Sequence, residues 1–148
     1  MSFKDNINTW IFDLDNTLYS ADSGIFQQVH KLMGEFVAKN LNMELAEAKK
    51  LQAKYYKQHG TTLRGMMDNH GVDPDYFLEE VHKLDYSIVG PNQNLNDELY
   101  KLEGRKIIYT NANKQHVLDV LEKINLTNFF DEIYAVSYTH LRAHETPT

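Results

Sequence analysis

The stretch Asn8 to Ser20, NTWIFDLDNTLYS, constrains this chain more than any other. Trp10, Ile11 and Phe12 make an unbroken apolar run, the pattern of a central parallel strand covered on both faces, and the run stops at Asp13. A strand ending this way delivers a carboxylate to the crevice beyond the carboxyl edge of an α/β sheet, where ligands bind. Asp15 follows two residues on, and Asn16 and Thr17 add turn chemistry before Leu18 and Tyr19. Two carboxylates at this spacing can each lend an oxygen to a hard cation such as Mg²⁺, or divide the work of nucleophile and proton carrier. An isolated Asp-x-Asp also caps helices and opens turns. The strand before it and the Thr-Leu-Tyr after it narrow the field.

Downstream the apolar period changes. From Gly24 to Asn40, Ile25, Val29, Leu32, Met33, Phe36 and Val37 recur at helical spacing. Asn42 reads as the N-cap of a second helix through Leu45, Ala48, Leu51, Tyr55 and Tyr56, which Gly60 ends. A short third helix holds Leu63, Met66 and Met67 before Gly71, and Asp73-Pro74 reads as cap and first position of a fourth. After Pro91 and the polar run to Asn94, Leu95, Leu99 and Leu102 predict one more helix, closed by Gly104. Strand character returns at Lys106–Thr110, helical character at Gln115–Lys123, and strand character again at Phe130–Ala135. This order predicts a partial Rossmann-like parallel α/β sheet, residues 1–18 and 98–135, interrupted by a helical-bundle cap at 19–97.

The first stretch, Phe12-Asp13-Leu14-Asp15-Asn16-Thr17-Leu18-Tyr19, resembles the opening motif of the haloacid dehalogenase superfamily. Ile107-Ile108-Tyr109-Thr110-Asn111 is similar to its second motif, and the helices between take the place of its cap. The segments YKQHGTTLRG at Tyr56 to Gly65, Gly71-Val72-Asp73-Pro74, Val81-His82 and Asp85-Tyr86-Ser87 resemble the cap of the bacterial pyrimidine 5′-nucleotidases. The resemblance implies that Asp13 is a nucleophile forming an aspartyl-phosphate and that Asp15 is the general acid and base. It implies that both carry Mg²⁺ and that Thr110 and Asn111 hold the phosphoryl group. UMP or CMP is the implied substrate, with Thr62 and Arg64 on the loop facing it. Arg64 offers a planar donor fork suited to a base carbonyl or a phosphate, and equally a surface side chain covering apolar neighbours. Related caps serve sugar phosphates and phosphoglycolate, and a degenerate scaffold of this kind can be a non-catalytic binding or regulatory module. His59, His70 and His82 lack ligand spacing and read as structural or surface residues.

Composition excludes several classes. A net charge of −6 argues against a nucleic-acid surface, and with no cysteine there is neither a disulfide framework nor a thiolate metal site. No run approaches the 18 or so apolar residues of a membrane helix and MSFKDNINTW lacks a signal-peptide pattern, so a cytoplasmic protein is expected. The superfamily completes its site with a Lys after the third strand and an acid after the fourth; Lys114 and Lys123 do not match that position. A missing positive charge at about 4 Å is worth roughly 4 kcal/mol at an effective dielectric of 20, or about a thousandfold in rate. The expectation is a weakly active or inactive fragment. Residues 136–148, VSYTHLRAHETPT, fit no helix or strand period and resemble the translation of a transposase adapter from sequencing libraries. They are expected to be non-native, replacing about 80 to 100 further residues. A sheet so shortened exposes an apolar edge.

Overall fold

The computed structural model describes residues 6–135, and the adapter-like reading of 136–148 lies outside them. The described residues fall into two units, 6–25 with 85–135, and 26–84. The helical unit is narrower than the 19–97 read from the sequence, because the segment after residue 84 packs with the sheet. There Asn96 Nδ2 donates to the carbonyl of Ile124 at 3.0 Å, and Tyr86 reaches His116.

The sheet unit is built on three parallel strands in the order β1 (Thr9–Phe12), β2 (Arg105–Thr110), β3 (Glu132–Ala135). Phe12 lies opposite Ile108 and Thr110 opposite Ala135, so β2 runs two residues beyond the last paired residue of β1 toward the carboxyl edge. Two more helices belong to this unit, α5 (Gln93–Lys101) and α6 (Lys114–Lys123); numbering follows chain order. In α6, His116, Val117, Val120 and Leu121 are buried, whereas Leu118 is exposed. The helix α5 ends at Lys101, short of Gly104, whose role is different. With φ of +109°, Gly104 turns the chain into β2, and a Cβ there would lie 2.8 Å from the carbonyl oxygen of Asn8.

One expectation for β1 is overturned. Its apolar run predicts cover on both faces, yet β1 is an edge strand and Ile11 is 70% exposed. Tyr109 and Tyr134, on the same side by register, are 59% and 52% exposed. The opposite side is the packed one: Ile108 and Thr110 are buried and the ring of Phe12 meets Phe130 edge-on at 5.8 Å. Of the described residues on the Ile11 side, Ile107 is buried, while Ile11, Tyr109 and Tyr134 are left exposed.

The helical unit holds α1 (Ile25–Leu41, which begins one residue earlier), α2 (Leu45–His59), α3 (Thr62–His70) and α4 (Pro74–Val81). Phe36, Val37, Ala48, Tyr55, Leu63, Met66, Phe77 and Val81 form its core. Asp73 caps α4 through Asp75 N and Tyr76 N with Pro74 at the first turn, as the sequence predicts, and Thr61, not expected as a cap, caps α3 through Arg64 N. Asn42 does not cap α2. At φ of +51° it takes the left-handed conformation after α1, with Met43 N donating back to Ala38 O, so it ends one helix rather than opening the next. At Gly65, α3 lies close against α2: a Cβ there would fall 2.4 Å from Tyr55 Cβ.

Candidate active site

The end of β1 sets Asp13 in solvent at the carboxyl edge, with its Oδ1 accepting from Leu14 N at 2.8 Å. Leu14, fully buried, anchors the turn between the two acids, and Thr17 N and Leu18 N bond to its carbonyl at 3.2 and 3.0 Å. Asn16 takes φ of +59° there, a conformation that Asn tolerates better than most residues. The turn brings Asp15 back against the sheet unit. Its Oδ1 accepts from Tyr19 Oη at 2.5 Å and lies 2.7 Å from His116 Nε2. Behind His116, the Tyr86 hydroxyl lies 2.6 Å from Nδ1. Burial, and then the hydrogen bond and charge of Asp15, push the Tyr19 hydroxyl well above its ordinary range; burial, with the charges of Asp119 and Asp15, does the same to Tyr86. Both phenols therefore stay protonated and able to donate.

The second predicted segment ends at the same edge. Thr110 is buried at the end of β2, and its Oγ1 accepts from Ala112 N at 3.2 Å, fixing the turn into α6. Asn111 is exposed at that turn, and Asn113 caps α6 by accepting from His116 N at 2.8 Å. The cap that starts α6 thus also sets the backbone of the histidine that meets Asp15. Asp13, Asp15, Thr110 and Asn111 all belong to the carboxyl edge of one sheet. A hollow of about 640 Å³ runs along Asn16, Thr17, Tyr19, Ser20, Val89 and Asn92, and none of Asp13, Asp15, Thr110 and Asn111 lines it.

The two predicted cap residues are placed otherwise. Thr62 is 4% exposed and its hydroxyl donates to the carbonyl of Gln52 at 3.3 Å, so it ties α3 to α2. Arg64 is partly exposed on α3, with its Nε 3.1 Å from Asp68. Each histidine read as structural or surface has a protein neighbour: His59 meets Asp68, His70 the Tyr55 hydroxyl, and His82 the carbonyl of Leu78.

As a cation site, the donor chemistry is that of a hard metal, carboxylate oxygens on Asp13 and Asp15. Mg²⁺ is commonly held by one or two carboxylates with water and substrate phosphate completing the shell. Among the described residues no group of three or more acids, histidines or cysteines comes together. The residues present fit Mg²⁺ as two of its ligands.

Sequence reasoning missed His116, Tyr86 and Tyr19 as site residues. The available signal was phase: His116 shares the buried face of α6 with Val117, Val120 and Leu121, an unusual place for an imidazole without a partner.

The sequence profile of the haloacid dehalogenase-like hydrolases matches residues 10–144, a span running into the segment read as adapter-like. The chain belongs to that family. Among curated relatives, phosphate metabolism protein 8 of Saccharomyces cerevisiae is 24% identical over 143 residues, covering 88% of this chain and 43% of the yeast protein. Among solved structures, the haloacid dehalogenase hydrolase YfnB of Bacillus subtilis, solved bound to magnesium, aligns with a TM-score of 0.48 at 16% identity. That alignment covers 86% of this chain and 64% of YfnB. The chain therefore spans less than half the length of the yeast relative and under two thirds of YfnB. Family membership makes the parallel α/β architecture and a hydrolase ancestry plain.

Proposed function

We propose that this haloacid dehalogenase-like chain is the amino-terminal part of a cytoplasmic, Mg²⁺-dependent phosphomonoesterase acting on pyrimidine nucleoside 5′-monophosphates such as UMP or CMP. The observation that carries the reading is the carboxyl edge of the sheet, where β1 presents exposed Asp13, β2 presents Thr110, and Asp15 is held between Tyr19 and His116. In this reading an Asp13 carboxylate oxygen attacks phosphorus, and the bond to the 5′-oxygen breaks as Asp15 gives that oxygen a proton. Asp15, now a carboxylate, takes a proton from water, whose oxygen attacks the aspartyl-phosphate and releases inorganic phosphate with Asp13 restored. Thr110 and Asn111 are assigned to the phosphoryl oxygens. Both steps bring negative charge toward a phosphate, so positioning and countercharge supply most of the catalysis. Bound Mg²⁺ would neutralise part of that charge, held by Asp13 and Asp15.

The pyrimidine preference rests on the cap segments around Tyr56 to Ser87 and is the finer part of the proposal. The name of the yeast relative is in keeping with phosphate-ester chemistry. We further propose that the whole protein continues into a segment supplying the remaining Lys and acidic ligand, in line with the share of its relatives that the chain spans. Phosphate release from UMP, with and without Mg²⁺, tests this in the chain and in a version extended with a family carboxyl-terminal half. The expected result is Mg²⁺-dependent release in the extended chain that Asp13→Asn abolishes. If the extended chain leaves UMP intact but hydrolyses phosphoglycolate or a sugar phosphate, the substrate assignment falls. If it hydrolyses none and binds nucleotide all the same, the chain is a binding module.

A further inference from the structure

His116 is 1% exposed and both its ring nitrogens are engaged, one by a carboxylate and one by a phenol. Such a residue can be a satisfied core histidine and nothing more. Its partner, however, is the acid to which proton transfer is assigned. Asp15 Oδ1 lies 2.7 Å from Nε2 and also accepts from Tyr19 Oη at 2.5 Å. With Asp15 as a carboxylate, an Nε2 lone pair facing Oδ1 at that distance would set two acceptors against each other, so Nε2 carries the hydrogen. Tyr86, at 2.6 Å from Nδ1, is then placed to donate to the other nitrogen. One carboxylate oxygen thus receives two donors, which fill its two lone-pair directions.

We infer that His116 is a positioning residue for Asp15: held with hydrogen on Nε2 by the Tyr86 hydroxyl behind it, it shares Oδ1 with Tyr19 and fixes the orientation of the carboxyl group. The inference rests on the phosphatase reading and deepens it. It gives Tyr19, His116 and Tyr86 a single purpose, holding the carboxyl group of Asp15 in one orientation. Tyr19 belongs to the same turn as Asp15, four residues on, whereas His116 comes from α6 and Tyr86 from the 3-10 turn Tyr86–Ile88. Two separate pieces of the sheet unit, the turn of Tyr19 and α6, therefore meet at the Asp15 side chain, and the turn of Tyr86 backs His116. Asn113, through its cap on His116 N, holds the start of the same helix.

Nitrogen NMR of the histidine-labelled 148-residue chain tests the tautomer without reference to turnover. One of the seven imidazoles is expected with Nε2 protonated and Nδ1 accepting a hydrogen bond. That signal should vanish in His116→Gln, and its Nδ1 resonance should move in Tyr86→Phe, which removes one oxygen and leaves the ring to pack. An unprotonated Nε2 overturns the inference. Kinetics in the extended chain test the role. His116→Leu is expected to lower kcat by about tenfold to a hundredfold with KM changed by less than about twofold, the size typical of groups that orient a reacting residue. His116→Gln, which keeps a donor, should recover part of the loss. In an Asp15→Asn background, His116→Leu should cost nothing further, whereas a merely structural role predicts equal losses in both backgrounds and overturns the inference. Asp13→Asn separates the two levels: an enzyme that needs Asp13 but is indifferent to His116→Leu refutes the positioning role alone. An extended chain indifferent to Asp13→Asn refutes the phosphatase reading and this role with it.

Discussion

Gly65→Ala is the sharpest test of how the helical unit is packed. In a helix interior, alanine is favoured over glycine by about 1 kcal/mol, so propensity alone predicts that the substitution stabilises α3. The geometry predicts the reverse. The added methyl would stand 2.4 Å from both Cβ and Cγ of Tyr55 and 2.8 Å from Cδ2, distances at which something must move. Tyr55 is itself buried, packs edge-on against His59 at 5.6 Å and bonds His70 Nε2 through its hydroxyl at 2.7 Å, so it has little room to retreat. Overpacking of a core typically costs about 1–3 kcal/mol, and loss of the Tyr55–His70 hydrogen bond adds about 1 kcal/mol. After the propensity gain the net cost is about 1–3 kcal/mol. At about 2–4 °C per kcal/mol for a chain of this size, the midpoint of thermal unfolding followed by circular dichroism should fall by roughly 3–10 °C. A Tyr55→Ala background, which removes Cγ and Cδ2 and leaves only the contact with Cβ, should shrink the penalty. A Gly65→Ala protein at least as stable as the parent would refute the close approach of α2 and α3.

Other substitutions probe the sheet unit. Thr110→Val keeps the volume of a side chain that is 3% exposed but removes the oxygen accepting from Ala112 N; it should lower the urea midpoint by an amount equivalent to about 1–2 kcal/mol and weaken phosphate release in the extended chain. Asn113→Ala removes the α6 cap on His116 N and should cost about 1 kcal/mol by the same assay. Asp85 accepts from the Ser87 side chain and backbone, which hold its carboxyl below the ordinary 3.8. A depressed folded-state pKa stabilises above the unfolded value, and that contribution is lost as pH falls through the folded value. Ser87→Ala should therefore move the Asp85 carboxyl titration upward by carbon NMR and lower the stability measured at neutral pH, with the difference from the parent shrinking as pH falls through the carboxyl range.

Much of the sheet edge was legible because its signals are local. A strand that stops at an acid, a β2 ending in Thr110, and the cap Asp73-Pro74 are written in a few adjacent residues and survive into the structure. What was missed depends on distance along the chain. His116 meets Asp15 across 101 positions and Tyr86 across 30, and no spacing rule announces either pairing. Asn42 was misread for another reason: Asn serves both as an N-cap and as a left-handed helix terminator, and the two uses differ in φ rather than in sequence. Thr62 follows the real cap, Thr61, by one residue, and that shift turns its hydroxyl inward to Gln52.

The exposed side of the sheet carries the last prediction. Parallel sheets bury both faces, and the Trp10-Ile11-Phe12 run has the composition of a strand so buried, yet Ile11, Tyr109 and Tyr134 lie open. Sequence and environment disagree at Ile11, and the proposed continuation of the whole protein resolves the disagreement once it is extended to a segment that covers this face. It also fixes the sign of a substitution. In the 148-residue chain Ile11→Thr keeps the β-branch that a strand favours and removes exposed apolar surface. It should leave the unfolding midpoint nearly unchanged while raising the concentration at which the chain stays monomeric by light scattering. In the extended chain the same residue would be covered, and the substitution should cost about 1.5–3 kcal/mol, the value of burying such a side chain, plus the cost of an unpaired hydroxyl. Equal effects in the two proteins would mean that nothing packs on this face, and the proposed continuation would have to be given up.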